Sequence, residues 1–318
     1  MTGSELLLAA SLDALLGDPR WFPHPVRGMG RLIAWCDHHV RAWCRSSDAL
    51  RAAGLTLAVG LPLCVFVLTH WVMSAAESLS AWFGSLASIG LAWTTLAGRD
   101  LWDHVHAVDN FLQAGDLPAG REAVSMIVGR DTADLSESEV ARATVETVAE
   151  SAADGVIAPL FYLVIGGAPL ALAYKAVNTL DSMIGHRDEH YIDFGWASAR
   201  LDDLANWIPA RLAATLLIIG AGVVTGRRES VRIGWRVFRR DGSKHPSPNS
   251  GRPEAAMAGL LGVRLGGTNF YDGIAQERPI LGEEGRSAET GDISSAAKVM
   301  VAASVLGTFF AVGMKWLF

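Results

Sequence analysis

The chain has 318 residues, of which 50% are hydrophobic and 19% are charged, and its mean hydropathy is +0.26. Because soluble domains carry about 25% charged residues, this composition favours an integral membrane protein. A formal net charge of −6 and a pI of about 5.8 argue against a nucleic-acid-binding protein. The three cysteines have no spacing that predicts a disulfide framework or a zinc site.

The first apolar stretch, from Leu6 to Leu16, predicts a short helix at the membrane surface or at half depth. At about 1.5 Å per residue, it cannot cross a hydrocarbon core of about 30 Å. It also differs from a signal peptide, because Asp13 interrupts it and no basic segment precedes it.

A segment rich in proline and glycine follows, from Gly17 to Gly30. Its three prolines exclude a helix, and its glycines permit a close approach of the backbone. Asp18, His24 and Arg27 are polar groups on this rigid loop and are candidates for binding. The alternative is a purely structural loop in which one aspartate is a cap.

Five apolar stretches predict spanning helices, so we expect an all-α polytopic membrane protein with polar cytoplasmic loops and helices. We predict one domain over residues 1–318, with spans near 52–76, 78–98, 155–177, 207–226 and 298–318. The polar regions are 17–51, 99–154, 178–206 and 227–297. Glu77 separates the first two spans and predicts a tight turn there.

The third apolar stretch contains a helix breaker, Gly166-Gly167-Ala168-Pro169. Two structures fit this pattern: one kinked span, or a re-entrant hairpin of two half-length helices. A re-entrant hairpin needs cover from protein or from a water-filled cavity, since lipid cannot satisfy its backbone polar groups.

Arginine placement predicts the orientation, because Arg20–Arg51 and Arg227–Arg240 each contain six arginines and should be cytoplasmic. Five crossings would then place the acidic segment Asn178–Asn206 outside. A hairpin would return that segment to the cytoplasmic side but would leave Arg227–Gly291 on the other side. A tilted helix in a cavity open to the cytoplasm would satisfy both demands, and the sequence leaves these alternatives open.

A helix that begins at the Ser136–Glu139 capping box carries Glu146, Glu150 and Asp154 at i, i+4 and i+8. This spacing places three carboxylates on one face, where they repel each other unless a cation or a basic partner is near. The face is either an ordinary solvated one or part of a polar site at the membrane boundary. Further polar candidates follow the apolar stretch: Lys175, Asn178, Asp181, Arg200, Asp202 and Asp203.

The segment His245–Glu254 is a loop that leads into a helix N-terminus, where free N–H groups and the helix dipole favour anions. It could cradle a phosphate with Ser247, Asn249, Ser250, Gly251 and Arg252. The alternative is an ordinary Ser- or Asn-capped helix. Gly266–Asn269 and Tyr271–Gly273 predict a further tight loop. The sequence contains no Walker loop, Rossmann fingerprint or nucleophile elbow.

Taken in order, these motifs resemble the CobD/CbiB family of cobalamin biosynthesis, the adenosylcobinamide-phosphate synthases. Each stretch alone would be a weak signal, but together they cover most of the chain in order and are highly specific. The stretches are Gly17 to Gly30, Val148 to Tyr162, Tyr174 to His186, Phe194 to Leu212, and His245 to Gly267.

The resemblance implies an acid–amine ligase in the cell inner membrane. The family joins the propionate side chain of adenosylcobyric acid to aminopropanol, its phosphate or a related amino alcohol phosphate, which gives adenosylcobinamide or its phosphate. We expect ATP and Mg²⁺ to take part, because a carboxylate and an amine do not condense at pH 7 without activation. Expected partners are the two substrates, the lipid bilayer and other membrane-associated enzymes late in the pathway, and a homo-oligomer is left open.

On this hypothesis each polar candidate has a role in a site that should open to the cytoplasm. The predicted catalytic residues are Glu146, Glu150, Lys175, Asp181, His24 and His245. The predicted substrate-binding residues are Asp18, Arg27, Asn178, Arg200, Ser247, Asn249, Ser250, Gly251 and Arg252. The predicted Mg²⁺ ligands are Glu150, Asp154, Asp202 and Asp203.

Two other classes of function remain open. An AmpE-like membrane regulator or scaffold would share the architecture without catalysis, and it would tolerate changes at Glu150, Lys175 and Asn249. A transporter would carry substrate into liposomes and would have charges within its spans, whereas here they crowd the ends of the spans.

Overall fold

A computed structural model describes residues 1–186 and 188–317. Arg187, in the predicted polar region 178–206, and Phe318, at the end of the last predicted span, lie outside the described residues. In chain order the elements are α1 Gly3–Leu16, α2 Pro25–Trp43, α3 Ser47–Leu79, α4 Ala81–Trp93, α5 Gly98–Gln113, α6 Leu117–Ser125, α7 Glu137–Ala152, α8 Ala158–Ile184, α9 Trp196–Ala205, α10 Trp207–Thr225, α11 Arg228–Asp241, α12 Gly251–Leu261, β1 Leu265–Tyr271, β2 Ile274–Leu281 and α13 Thr290–Leu317. A π-helical turn, Ala153–Ile157, joins α7 to α8.

Four segments of the described chain are long and apolar enough to cross a membrane: Ser47–Leu79, Glu137–Ile184, Trp207–Thr225 and Thr290–Leu317. Large apolar side chains along α3, including Val59, Leu63 and Val67, are more than half exposed. Such exposure is expected where a helix faces lipid rather than water. The chain is an all-α polytopic membrane protein with one small β-hairpin.

The second predicted span, 78–98, is shorter in the structure. Helix α4 has 13 residues, which is roughly 20 Å and too short to cross a membrane alone. The break lies at Ser80 and not at Glu77, because Ser80 ends α3 and its hydroxyl accepts the Phe83 N–H at 3.2 Å to begin α4. Helix α4 ends at Trp93, whose buried indole N–H donates to the Gly17 carbonyl at 3.1 Å.

The chain divides into two compact units. The first contains Met1–Ala97, Ala158–Asn206 and Thr308–Phe318, and the second contains Gly98–Ile157 and Trp207–Gly307. In the first unit a core forms where α2, α3 and α8 pack around buried Ile33, Leu180 and Phe194.

Helix α2 begins at Pro25, inside the segment 17–30 that was predicted to be non-helical. Proline is tolerated there because the first N–H groups of a helix have no helical acceptor. The predicted exclusion of helix therefore holds only as far as His24.

Helix α8 reverses direction at Gly166 and Gly167, whose backbone angles are not helical. Gly167 has φ 64° and ψ −161°, a combination that is essentially restricted to glycine. The rings of Tyr162 and Tyr174 stack with 4.8 Å between their centroids, whereas a continuous helix would separate these positions by roughly 18 Å. The third apolar stretch is therefore the re-entrant hairpin and not the kinked span.

In the second unit α10, α11 and α12 run back and forth beside each other. A Cβ atom on Gly222, near the end of α10, would lie 3.2 Å from Val231, near the start of α11. Midway along the helices, a Cβ atom on Gly234 would lie 2.8 Å from Leu260 and 3.5 Å from Ile218. Helix α11, which follows α10, thus folds back along α10. The orientation of residues 227–291 relative to the membrane stays a prediction.

The tight turn predicted at Tyr271–Gly273 is confirmed, but the loop predicted at Gly266–Asn269 is wrong, because those residues belong to the first strand of an antiparallel β-hairpin. Asp272 and Gly273 have φ of 51° and 76°, as a two-residue hairpin turn requires. A bulge disturbs the strand register between Leu265 and Gly267. A Cβ atom on Gly266 would lie 2.2 Å from the Pro279 carbonyl oxygen, so the strands can approach only with glycine there.

Candidate functional site

Helix α7 carries the first group of site residues. Its capping box forms as predicted, since Ser136 accepts the Glu139 N–H and Glu139 accepts the Ser136 N–H. The helix passes through Glu146 and Glu150 and leads into the π-helical turn that contains Asp154. Glu146 is buried and Glu150 is exposed, so the two carboxylates lie in different environments.

Glu146 has a basic partner that the sequence did not predict. The Arg130 guanidinium forms a salt bridge with Glu146, and each side chain is only 8% exposed. The Gly266 N–H donates to the other carboxylate oxygen at 2.7 Å. Burial acts to lower the pKa of Arg130, but the charge and hydrogen bond of Glu146 outweigh it and raise that pKa. Glu146 is therefore a compensated, buried charge.

The same arginine helps to fasten the β-hairpin to α7. Arg130 and Arg142 both donate to the side-chain oxygen of Asn269, at 2.6 and 3.1 Å, and Asn269 is 2% exposed. Asp131 accepts the Gly273 N–H at 2.8 Å. These contacts fix the hairpin, and with it the residues of β2, beside the acidic helix.

Glu254, in the first turn of α12, adds a third carboxyl group to this cluster and is 4% exposed. Burial, and then the negative charges of Glu146 and Glu150, raise its pKa well above the ordinary value. The positive charges of Arg278 and Arg130 offset only part of that effect. The environment therefore favours the neutral, protonated form of Glu254.

His245 faces hydrogen-bond donors at both ring nitrogens. The Ser247 N–H donates to Nδ1 at 3.0 Å, and the Arg278 guanidinium lies 3.1 Å from Nε2. An imidazolium ion donates from both nitrogens, so this arrangement disfavours it. Burial and the charge of Arg278 lower the pKa of His245. The result is a neutral imidazole, which is the form that can accept a proton.

The predicted phosphate loop is a compact turn before α12. The Ser247 hydroxyl accepts the N–H groups of Asn249 and Ser250, at 3.3 and 3.2 Å. Ser250 occupies the N-cap position but makes no side-chain cap, because its hydroxyl donates to Glu150 at 2.7 Å. The helix is thus not capped in the ordinary way, and the turn is tied to α7 instead.

Glycine is required at the start of α12. A Cβ atom on Gly251 would lie 2.4 Å from the Cβ of His245 and 3.2 Å from the Gly242 carbonyl oxygen. The absent side chain lets the histidine pack directly on the first turn of the helix. Arg252 follows as a half-buried residue of that turn.

Over residues 1–186 and 188–317, no group of three or more His, Cys, Asp and Glu side chains is arranged to hold a metal ion. Of the predicted ligands, Glu150 and Asp154 belong to the second unit, and Asp202 and Asp203 belong to the first. Mg²⁺ commonly takes only one or two protein carboxylates and completes its shell with water and substrate phosphates. The exposed carboxylate of Glu150 fits a site of that kind.

In the first unit, hydrogen bonds from Arg27 hold the loop before α2. His24 Nε2 lies 3.2 Å from Asp18 Oδ1. Arg27 donates three hydrogen bonds to backbone carbonyls of the loop, those of Pro19, Arg20 and Phe22. The roles predicted for Asp18, His24 and Arg27 stay predictions.

A buried polar chain connects the α8 hairpin to α9 in the same unit. The Tyr174 hydroxyl donates to the Asn206 side chain at 3.0 Å, and the Asn206 amide donates to Asp202 at 3.0 Å. Lys175 donates to Asn178 at 3.3 Å. Asp181 and Asp203 are half-buried, and Arg200 is exposed. The catalytic and binding roles predicted for these residues stay predictions.

The residues that sequence reasoning missed are those that complete the charge balance of the second unit. Glu254 stood inside the His245–Glu254 segment, but an acidic residue in a first turn is ordinarily explained by the helix dipole. Arg278 lies on a strand that was not predicted, although the Asp272-Gly273 dipeptide was a signal for it. Arg130 had no sequence signal beyond its place in a turn.

A family model described as CobD/Cbib protein matches residues 6–300. The chain belongs to the CobD/CbiB family. The match to this family includes every predicted site residue, from Asp18 in the first unit to Arg252 in the second.

Curated members of the CobD/CbiB family match the chain over most of its length. A protein named "Cobalamin biosynthesis protein CobD" from Yersinia enterocolitica is 47% identical over 96% of this chain and 95% of its own. A protein with the same name from Geobacter metallireducens is 50% identical over 88% of this chain and 86% of its own. A protein named "Cobalamin biosynthesis protein CbiB" from Salmonella typhimurium is 45% identical over 96% of this chain and 95% of its own. No solved structure matches the chain.

Proposed function

We propose that the protein is a membrane enzyme of cobalamin biosynthesis that joins adenosylcobyric acid to aminopropanol, its phosphate or a related amino alcohol phosphate. The reaction forms an amide, consumes ATP and takes place on the cytoplasmic side. Membership of a family whose relatives are named cobalamin biosynthesis proteins supports the pathway. The observation that supports this reaction is the cluster of the second unit. Carboxyl groups of α7 and α12, a guanidinium group of β2 and the imidazole of the loop before α12 meet there.

The chemistry explains why such a cluster is needed. A propionate oxygen attacks the γ-phosphorus of ATP and ADP leaves, which gives an acyl phosphate. The amine nitrogen then attacks the acyl carbon and inorganic phosphate leaves, so that a C–N bond replaces the C–O bond. The ammonium proton must pass to a base before or during this attack.

Residues of the cluster can meet these demands. His245 is neutral and accessible in part, so it is suited to accept the proton. The first turn of α12 brings the positive end of the helix dipole and the Arg252 side chain, which suit phosphate oxygens. Glu150 would hold Mg²⁺, which when bound would neutralise charge on the phosphates.

The test uses the full-length protein purified in detergent, with adenosylcobyric acid, aminopropanol phosphate and Mg-ATP. Mass spectrometry should detect the amide product only when ATP is present. Glu150→Gln and Asp181→Asn should each abolish the product while the protein still folds. Glu122→Gln, which changes an exposed carboxylate on α6, should keep it.

Two results would favour the other classes of function. Folded wild-type protein that forms no amide but moves substrate into liposomes would be a transporter. Protein that does neither, and whose cellular role survives Glu150→Gln, would be a regulator or scaffold.

A further inference from the structure

Two arginine side chains of the second unit have no acidic partner among the described residues. Arg211 lies in the first turn of α10, and Arg252 lies in the first turn of α12. The Arg252 Nε atom is buried and has no hydrogen-bond partner in the part of the chain that the structure describes. The Arg211 guanidinium donates to the backbone carbonyl of Trp207 at 2.5 Å.

Aromatic rings hold both guanidinium groups in place. Arg211 lies 4.2 Å from the centroid of Trp207, and Arg252 lies 6.0 Å from the centroid of Phe238. Such stacking limits the rotamers of a long side chain and leaves its N–H groups free to point elsewhere. Both arginines are therefore positioned before any ligand arrives.

Helix α11 runs antiparallel to α10, because Gly222 near the end of α10 lies against Val231 near the start of α11. Gly242, at the end of α11, lies against Arg252, so the first turns of α10 and α12, with Arg211 and Arg252, are at the same end of the three helices. Both arginines are half-buried, so solvent screens the repulsion between their charges less than it would on an open surface. An anion between two like charges turns repulsion into attraction. Helix α12 adds the positive end of its dipole at the same place.

Three glutamate side chains of the cluster have other partners or favour the neutral form. Glu146 is paired with Arg130, and Glu150 accepts the hydroxyl of Ser250. Glu254 favours its neutral form. Neither Arg211 nor Arg252 forms a salt bridge within residues 1–186 and 188–317, so a bound anion can balance both charges.

We propose that Arg211 and Arg252 form an anion subsite that binds a phosphate group. A guanidinium can give two parallel hydrogen bonds to phosphate oxygens, so two of them suit a doubly charged phosphate. This assignment adds Arg211 to the predicted substrate-binding residues, and it rests on the proposed function for the source of the phosphate. An amino alcohol phosphate and a nucleotide carry the same chemical group.

Isothermal titration of the full-length protein in detergent tests the subsite. The ligands are aminopropanol phosphate, unphosphorylated aminopropanol and a non-hydrolysable ATP analogue with Mg²⁺. Arg211→Gln and Arg252→Gln should each weaken binding of a phosphate-bearing ligand by about tenfold to a hundredfold, since each removes charged hydrogen bonds. Arg211→Lys and Arg252→Lys should recover part of the loss, and Arg236→Gln, an exposed residue of α11, should cause none.

The choice of ligand affected identifies the source. A loss confined to aminopropanol phosphate assigns the subsite to the amino alcohol phosphate, and a loss confined to the ATP analogue assigns it to the nucleotide. Unchanged affinity for both ligands in a folded Arg211→Gln/Arg252→Gln protein would overturn the proposal, as would an equal loss in Arg236→Gln or no phosphate binding by the wild type.

Failure of the proposed function is a separate result. If the wild-type protein binds phosphate through these arginines but forms no amide, the anion subsite is supported and the proposed ligase activity is contradicted. Melting temperatures of all variants establish that each is folded before its affinity is compared.

Discussion

Glu146 and Glu254 belong to one cluster but lie in different electrostatic environments. The Glu146 carboxylate forms a salt bridge with Arg130 and accepts the Gly266 N–H. Glu254 is buried near the charges of Glu146 and Glu150, and Arg278 and Arg130 offset these effects only in part, so its pKa is raised and its neutral form is favoured.

The raised pKa of Glu254 predicts a pH-dependent stability. The folded protein binds this proton more tightly than the unfolded chain, so the wild type loses stability as pH rises above the ordinary pKa of 4.5. Glu254→Gln cannot ionise and escapes this loss. Its melting temperature should exceed that of the wild type at pH 8, and the difference should shrink towards pH 5.

Melting curves at pH 5, 6.5 and 8 measure the effect of Glu254→Gln. Glu122→Gln is the control, because it changes an exposed carboxylate and should leave no pH-dependent difference. A difference for Glu254→Gln that stays constant over this range would contradict the prediction.

The Arg130–Glu146 pair makes a second prediction at this scale. Arg130→Met leaves a buried carboxylate without its partner and should lower the free energy of unfolding by about 3–5 kcal/mol. Arg130→Met/Glu146→Leu removes both charges and should recover much of that loss. Chemical denaturation measures the free energy of unfolding of both variants and of the control Arg264→Met, which changes an exposed arginine. Equal stability of wild type and Arg130→Met would show that the pair is not buried.

Two hairpins position the polar groups at the scale of elements. The re-entrant α8 hairpin stacks Tyr162 on Tyr174, and Tyr174 then reaches Asn206 at the end of α9. The β-hairpin carries Arg278 to His245, and its bulge presents the Gly266 N–H to Glu146. Each hairpin depends on glycines whose backbone angles or close contacts exclude a side chain.

Gly167→Ala tests the α8 hairpin. The angles of Gly167 are disfavoured for any residue with a Cβ, so the substitution should cost about 1–3 kcal/mol. Gly60→Ala is the matched control, since that glycine lies within α3 with no neighbour near a new Cβ, and alanine should be neutral or stabilising there. Comparable melting temperatures for the two variants would count against the reversal at Gly167.

At the scale of the whole molecule, apolar spans and basic segments set the relation to the membrane. Exposed apolar side chains on α3 suit lipid, while arginines concentrate in Arg20–Arg51 and Arg227–Arg240. Because α11 and α12 return along α10, the second basic segment need not lie beyond the end of a span. The distribution of arginine predicts that this segment is cytoplasmic.

Cysteine labelling tests that orientation. The native Cys36, Cys44 and Cys64 are replaced by alanine, and Ser243→Cys places one thiol at an exposed position after α11. In intact cells this thiol should react with a membrane-permeant maleimide and not with an impermeant one. Labelling by the impermeant reagent would place the segment outside and would contradict a cytoplasmic site.

Local signals determined part of this protein in advance. Composition and apolar runs predicted the membrane class, the capping box predicted the start of α7, and Gly166-Gly167-Ala168-Pro169 predicted the break in α8. The motif order predicted the family. These features depend on residues that are neighbours in the chain, so they can be read without knowledge of packing.

The tertiary structure alone decided which charges meet. It paired Arg130 with Glu146, turned the Ser250 hydroxyl to Glu150, and set Arg278 beside His245. It also chose the hairpin over the kinked span. The physical reason is that the partner of a buried charge, and hence its pKa, depends on how distant segments pack against each other, and periodicity along the chain carries no information about that.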